Sequence, residues 1–455
     1  MKKTTCFLLL LLLLSAACQK DDAPDIPDNP RTGTENLRQI DYPKQARSTK
    51  RGVSFSNNDP FFSGDFAKIG IGVSWFYTWG NNHTNFSSEQ TAAQMDFFPM
   101  AWNAGYNADQ IRAYKRTHPE CEYILAFNEP CHGEQANMTP AQAAAEWPRL
   151  KALADELGMK LVSPALTYGN VQPQYNPVGW FDEFFSRIPL DDVDAIAIHS
   201  YMNAPSAIMW YVGEFYKYNK PIWLTEFCAW DGLNANNYSL TGQQDYMCDV
   251  LNFLESDPHI ARYAWFILRT GGSDSTFPYM QLMYNDRSEL KDLGKMFVNF
   301  SSQDKNTWYE AGDMIPAEHY SSMNIVDVPD SDHWTNSVRV RPSTDTSGVL
   351  MITGFIPGKW IEYQLDLREA GDYTVNLRYA SEEGMNLQFS IGNDIKGTID
   401  LRGTGGFTQW ETATATVRLP AGKQTVRIAY YCPNDTPTGN CYTGGEIYLN
   451  WLAFL

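Results

Sequence analysis

The chain is 455 residues long, 43% hydrophobic and 14% aromatic, with 14 Trp and 25 Tyr. That length exceeds one ordinary domain, and the apolar fraction supports a large core. The formal net charge of −18 argues against nucleic acid and anionic lipid headgroups as partners, since both need a positive surface, and leaves neutral glycans open.

The N-terminus opens on Met1-Lys2-Lys3, then an apolar run from Phe7 to Leu14 that is too short to span a bilayer and reads as the core of a signal peptide over 1–17. Ser15-Ala16-Ala17-Cys18 resembles a bacterial lipoprotein lipobox, with Ser15 where Leu is usual, so Cys18 is the expected lipidation site. Gln19-Lys20-Asp21-Asp22 resembles the export signal of Bacteroidetes surface lipoproteins, which implies an outer-membrane, lipid-anchored, cell-surface protein. The alternative is a plain secretion signal. Residues 18–49 are polar and Pro-rich and read as a flexible tether.

From 50 to 302, short apolar runs alternate with helix-like stretches. The runs are Gly52 to Phe55, Ile71 to Trp79, Met95 to Trp102, Tyr123 to Glu129, Lys160 to Leu166, Ala195 to Tyr201, Pro221 to Phe227 and Tyr263 to Leu268. Continuous apolar runs suit strands covered on both faces, and eight such units predict a (β/α)8 TIM barrel of the α/β class. One helix shows both ends. Thr139, Pro140 and Gln142 form a capping box with Pro at the first helical position, and Gly158 stops the helix. From 303 to 455 the pattern alternates instead, as in Tyr373 to Tyr379 and Thr425 to Tyr431, with Gly, Pro, Asn and Asp turns between. This predicts an all-β jelly-roll sandwich.

Eight cysteines are present, of which Cys6 lies in the signal and Cys18 would carry the lipid. Cys121 and Cys131 bracket a predicted strand that holds them roughly 30 Å apart, too far to pair. Cys432 and Cys441 flank one loop and are candidates for a hairpin disulfide. Zinc-ligand spacing is absent, and no cofactor is expected for catalysis.

The fourth predicted strand ends Asn128-Glu129-Pro130 and the seventh ends Thr225-Glu226-Phe227. Barrel active sites lie at the carboxyl ends of the strands, so these two glutamates are placed to face one another across the mouth. Glycoside hydrolysis needs such a pair, one acid to protonate the leaving oxygen and one carboxylate opposite. Tyr201 on strand six is a candidate donor that keeps Glu226 ionised, and Phe127 and Pro130 beside Glu129 favour its protonated form. His199 reads either as a hydrogen-bonded barrel residue or as a substrate contact. Trp75, Trp79, Trp102, Trp230 and Trp265 lie near strand ends, and two or three of them are expected to stack on sugar rings while the others pack the core.

The motifs Ser74-Trp75-Phe76-Tyr77-Thr78-Trp79, Phe98-Pro99-Met100-Ala101-Trp102, Ile124 to Pro130 and Trp223 to Phe227 resemble clan A of the glycoside hydrolases, and more narrowly glycoside hydrolase family 128. The resemblance implies retaining hydrolysis of β-1,3-glucan, endo-acting, with Glu129 as acid/base, Glu226 as nucleophile, and Asn128 bonded to the hydroxyl beside the reacting carbon. Cys131 stands where that family commonly has an acidic residue. The motifs around Glu318, Phe355, Phe407 and Asn450 resemble family 6 carbohydrate-binding modules. That likeness implies sugar platforms at Phe355 and Phe407, where Tyr and Trp are usual, a polar partner at Asn450, and structural calcium at Glu318. The expectation is a monomeric enzyme acting on polysaccharide, touching the membrane through its lipid anchor only and binding no nucleic acid. Hydrolysis of another β-linked glycan, or non-catalytic glycan capture, are the alternatives.

Overall fold

The computed structural model describes residues 45–83, 86–169, 176–230, 239–274, 276–277, 279–324, 338–431 and 445–455. The signal, Cys18, most of the tether and the Cys432–Cys441 pair lie outside the described residues. The four described cysteines, Cys121, Cys131, Cys228 and Cys248, are free thiols.

Each apolar run carries a parallel strand: β1 (Arg51–Ser54), β2 (Trp75–Tyr77), β3 (Asp96–Phe97), β4 (Tyr123–Leu125), β5 (Lys160–Val162), β6 (Ile196–Ser200), β7 (Ile222–Phe227) and β8 (Ile260–Trp265). Between and after them come the helices α1 (Asp65–Ile69), α2 (Ser87–Ala92), α3 (Ala108–Thr117), α4 (Pro140–Leu157), α5 (Pro177–Phe185), α6 (Pro205–Gly213), α7 (Leu240–Ser256) and α8 (Asp292–Asn299). One six-stranded sheet runs β3-β2-β1-β8-β7-β6, and β4 pairs β5 separately. At the two seams the pairing continues as single parallel bridges, Met100 with Leu125, Val162 with Ala195 and Leu166 with Ile198. Every residue of β1, β6 and β7 is buried, which is why β6 and β7 open on apolar residues that show no in–out alternation.

The caps of α4 form as expected. Thr139 accepts from the Gln142 N–H, Gln142 accepts from the Thr139 N–H, and the helix stops at Gly158 with φ 62°. The tether reading needs correction at its end. Gln45 and Ser48 are buried, Gln45 donating to Ser302 (2.8 Å) and Ser48 to Glu255 (2.9 Å), so the folded part begins before residue 50.

Alternation along a strand points every second side chain inward. On β2 and its extension the inward row is Trp75, Tyr77 and Trp79, each ring packed on the next. Trp75 lies at the amino-terminal floor, fully buried, donating to the Lys50 carbonyl (2.9 Å) and packed on Trp223. Arg262 spreads its guanidinium over both rings, 5.9 and 5.0 Å from their centres. Trp75 is therefore floor and not a sugar platform, which corrects the expectation.

The C-terminal third is a separate antiparallel all-β domain. Its strands are β9 (Ile315–Pro316), β10 (Ser322–Met323), β11 (Arg339–Pro342), β12 (Leu350–Phe355), β13 (Trp360–Leu367), β14 (Gly371–Ser381), β15 (Met385–Ile391), β16 (Asp394–Leu401), β17 (Gly406–Leu419), β18 (Gly422–Tyr430) and β19 (Ile447–Phe454). They form sheets ordered β10-β13-β18-β15-β16 and β11-β12-β19-β14-β17, with β9 on β19. The inward rows share one core that includes Phe355, Tyr363, Leu377, Phe389, Leu449 and Phe454. This domain is tied to α7 by charge. Arg339 pairs with Asp249 and Asp245, Arg341 with Asp245, and Tyr320 donates to Asn252 (2.8 Å). Among the described residues no helix is long and apolar enough to cross a membrane.

Candidate active site

A cleft of about 610 Å³ opens at the carboxyl ends of the parallel strands, with Glu129 and Glu226 in its lining. The two carboxylates approach to within 4.8 Å of one another, with His199 inside the same limit. Both glutamates are buried, so proton sharing is governed by the surrounding side chains rather than by water.

Glu226 reaches the cleft through an irregularity in β7. Leu224 pairs Ile198 on β6, and the next β6 residue, His199, pairs Glu226. On the other flank, Leu224 pairs Tyr263 and Phe227 pairs Trp265. Both flanks assign one extra residue to β7 between Leu224 and Phe227, a bulge that reverses the strand's alternation. Trp223 points inward at the floor, and plain alternation would send Thr225 inward next. The bulge aims Glu226 instead, while Phe227 packs outward on Tyr263 and Trp265.

Three donors converge on Glu226. Tyr201 donates to Oε2, Trp79 Nε1 to Oε1 (2.7 Å), and Tyr77 lies 3.0 Å from both Oε1 and the Thr225 carbonyl. An indole N–H can only donate, so Oε1 must accept. Burial raises the phenol pKa of Tyr77 and Tyr201 well above normal, which keeps both as neutral donors. Burial also pushes the Glu226 pKa upward, and the charge of Glu129 adds to it, while His199, Tyr201 and Trp79 pull the other way.

Glu129 sits at φ 41°, a left-handed backbone that a glutamate adopts only when its surroundings enforce it. Its N–H is fixed to the Ala165 carbonyl (2.9 Å) and its own carbonyl accepts from His132 (2.9 Å). Trp79, opposite, also has positive φ, 57°. His199 lies beneath the pair, its Nδ1 2.9 Å from Glu129 Oε1 and 3.4 Å from Glu226 Oε2. Burial alone would lower the His199 pKa, but Glu226 and Glu129 outweigh it and the net direction is upward. The three side chains are metal-ligating in type, the one such group of three among the described residues. Donor hydrogens already aimed at Glu226 would repel a cation there, so the arrangement suits proton chemistry.

Asn128 is buried beside Glu129, and its Nδ2 donates to Gln135 (3.2 Å). Of the expected aromatic platforms, Trp79, Trp102 and Trp230 line the cleft. Trp265 does not. It is fully buried behind the parallel sheet, donating to the Met280 carbonyl (2.7 Å) and packed on Phe297. Its neighbour Phe266 has the inward parity, faces Trp79 and Tyr201, and stacks near-parallel with Trp230 at 6.2 Å. Strand parity in the sequence was the signal for choosing Phe266 over Trp265. Tyr77 was legible by the same rule, two residues from Trp79. Phe277 and Gln135, on loops, carried no such signal. Arg269 also borders the cleft, but its guanidinium is committed to Asp65 and to the Tyr284, Arg287 and Pro60 carbonyls.

In the all-β domain the expected sugar residues do not converge. Phe355 is fully buried in the core, because inward parity on β12 places it against Ile447, and it is no platform. Asn450 is 1% exposed, its Nδ2 bonded to Asp345 (2.9 Å) and the Ser347 carbonyl, so it anchors the loop before β12 instead of facing open sugar space. Phe407 lies half-buried on Tyr448, ring centres 4.4 Å apart. Glu318 is buried as a single carboxylate, with no group of three His, Cys, Asp or Glu ligands around it among the described residues. A calcium ion there would depend on oxygen atoms other than those side chains.

The glycosyl hydrolase catalytic core family matches residues 53–297, and the family 6 carbohydrate-binding module matches residues 331–436. Alkali-sensitive linkage protein 1 of Schizosaccharomyces pombe is 26% identical over 226 residues, covering 48% of this chain and 39% of that protein. The clotting factor G alpha subunit of Tachypleus tridentatus is 26% identical over 98 residues, covering 21% of this chain and 15% of that one. The chain thus spans well under half the length of these curated relatives. A solved family 128 (subgroup II) endo-β-1,3-glucanase from Pseudomonas viridiflava is 32% identical, covers 56% of this chain and 98% of its own, and has a TM-score of 0.49.

Proposed function

The chain belongs to the glycosyl hydrolase catalytic core family, and on that premise we propose that it is a retaining, endo-acting hydrolase of β-1,3-glucan built on a (β/α)8 barrel. The observation that carries the chemistry is the pair Glu129 and Glu226 meeting across one cleft with oxygen atoms within 4.8 Å. Retaining enzymes hold their carboxyls about 5–5.5 Å apart, whereas inverting ones leave about 6.5–9.5 Å for a water.

Glu226 attacks the anomeric carbon, and its donors, Tyr201, Trp79 and Tyr77, hold the attacking carboxylate in one orientation. Glu129 gives its proton to the leaving oxygen and afterwards takes one from the water that releases the sugar. His199 spans both carboxylates and, when protonated, offsets their mutual repulsion. The linkage and the endo action both follow from the motif resemblance to family 128. The all-β domain is assigned to glycan contact around Phe407 and Tyr448, and the enzyme to the cell surface through Cys18.

The test is hydrolysis of laminarin, curdlan, xylan and β-mannan by wild type and Glu226→Ala, with the anomer of the first product read by proton NMR. Laminarin cleaved to mixed oligosaccharides, with β-anomer first and no turnover by Glu226→Ala, is the expected result. Cleavage confined to another glycan overturns the linkage, an α-anomer overturns retention, and binding without cleavage by wild type overturns the enzyme. Radiolabelled palmitate incorporation by wild type but not Cys18→Ala tests the anchor.

A further inference from the structure

The loop that follows Glu129 turns back on itself before α4 begins. Gln135 N–H bonds the His132 carbonyl (3.1 Å), Ala136 N–H the Asn128 carbonyl (3.1 Å), and Met138 N–H the Pro130 carbonyl (2.9 Å). These closures bring Gln135, seven residues from Asn128, onto the Asn128 side chain, where its Oε1 accepts from Nδ2 at 3.2 Å. Both residues line the catalytic cleft. The Asn128 Oδ1 is buried without a hydrogen-bond partner among the described residues, so the Gln135 contact is the hydrogen bond that holds the amide, with Asn128 nitrogen as donor and Gln135 oxygen as acceptor.

We propose that Gln135 is a positioning residue for the hydrolysis: it fixes the Asn128 amide so that the second Nδ2 hydrogen faces the sugar hydroxyl beside the reacting carbon. This rests on the hydrolase reading above. An amide has two hydrogens on nitrogen, and an acceptor that takes one leaves the other at a defined angle. Without it the side chain can turn through half a revolution and present oxygen, an acceptor, where the transition state needs a donor. Hydrogen bonds to that hydroxyl strengthen as the oxocarbenium-like transition state forms, so misorientation reduces kcat more than it raises KM.

The test uses the full chain with Gln135→Met, which keeps length and removes the acceptor, and Gln135→Glu, which keeps an acceptor. Each is assayed on laminarin oligosaccharides at its own pH optimum, alone and combined with Asn128→Ala. Gln135→Met is expected to lower kcat about tenfold, the worth of one hydrogen bond, with KM within about twofold. Gln135→Glu is expected to recover most of the loss, and Gln135→Met should have no further effect on Asn128→Ala. Equal losses in both backgrounds, or a change in KM alone, would overturn the inference. The side-chain amide of Asn128, assigned in 15N spectra by its disappearance in Asn128→Ala, gives a reading that needs no substrate. One slowly exchanging proton is expected in wild type and Gln135→Glu and its loss in Gln135→Met; an unchanged amide in Gln135→Met sinks the proposal. Wild type inert on every β-glucan would refute the proposed function, while the spectra would still decide the Gln135 contact.

Discussion

Replacing Tyr201 with Phe removes one hydroxyl from the Glu226 site and little else, since the ring keeps its edge contacts with Trp230 and Phe266. The hydroxyl donates to Glu226 Oε2 where Glu226 is buried, 4% exposed. A hydrogen bond to a charged group contributes about 1.5–3 kcal/mol. That stabilises the carboxylate over the acid by roughly ten- to a hundredfold, so its loss makes Glu226 easier to protonate. In the proposed mechanism Glu226 must be ionised to attack, and on that reading the acidic limb of kcat/KM against pH moves up, by about one to two pH units. Tyr77 divides its hydroxyl between Glu226 and the Thr225 carbonyl, both at 3.0 Å, so Tyr77→Phe should move the limb less. The assay is initial rate on laminarin oligosaccharides from pH 3 to 9. An acidic limb that stays in place in Tyr201→Phe, or moves down, would refute the claim that this hydroxyl stabilises an ionised Glu226.

Trp230 forms the outer cleft wall with Phe266 and Phe277, and Trp230→Ala should raise KM roughly fivefold, about 1 kcal/mol of aromatic contact, with kcat nearly unchanged. Arg339→Met removes from the domain junction the guanidinium paired with Asp249, whose side chain is 1% exposed. Chemical denaturation should show a loss of about 3–5 kcal/mol, and a loss below 1 kcal/mol would mean that water or the neighbouring Lys359 compensates the carboxylate. His319 is buried with Tyr309 at its Nδ1, and burial pushes its pKa down to about 3 from 6.5. Below pH 6.5 the unfolded chain binds a proton that the folded chain refuses, so this group weakens the fold as pH falls toward 3, by up to about 1.4 kcal/mol per unit. Denaturation midpoints of His319→Gln should fall less steeply than wild type across that window, and parallel curves would remove His319 as the cause.

The amino-acid order alone determined which segments become strands and which glutamates end them. Runs such as Ile196-Ala197-Ile198 are apolar because both their faces are covered, and the Thr139 to Gly158 punctuation is local chemistry that needs no partner. What parity within one strand could decide was also legible, as with Trp75, Tyr77 and Trp79. The tertiary structure decided the rest. The extra residue in β7 is visible only against the registers of β6 and β8, and it is what turns Glu226 rather than Thr225 into the cleft. Trp265, Phe355 and Asn450 look like sugar contacts in the sequence, and burial by distant segments makes them wall, core and loop anchor. Local composition encodes what a residue prefers, whereas which side of a sheet it faces, and what then covers it, depends on strands brought together from far along the chain.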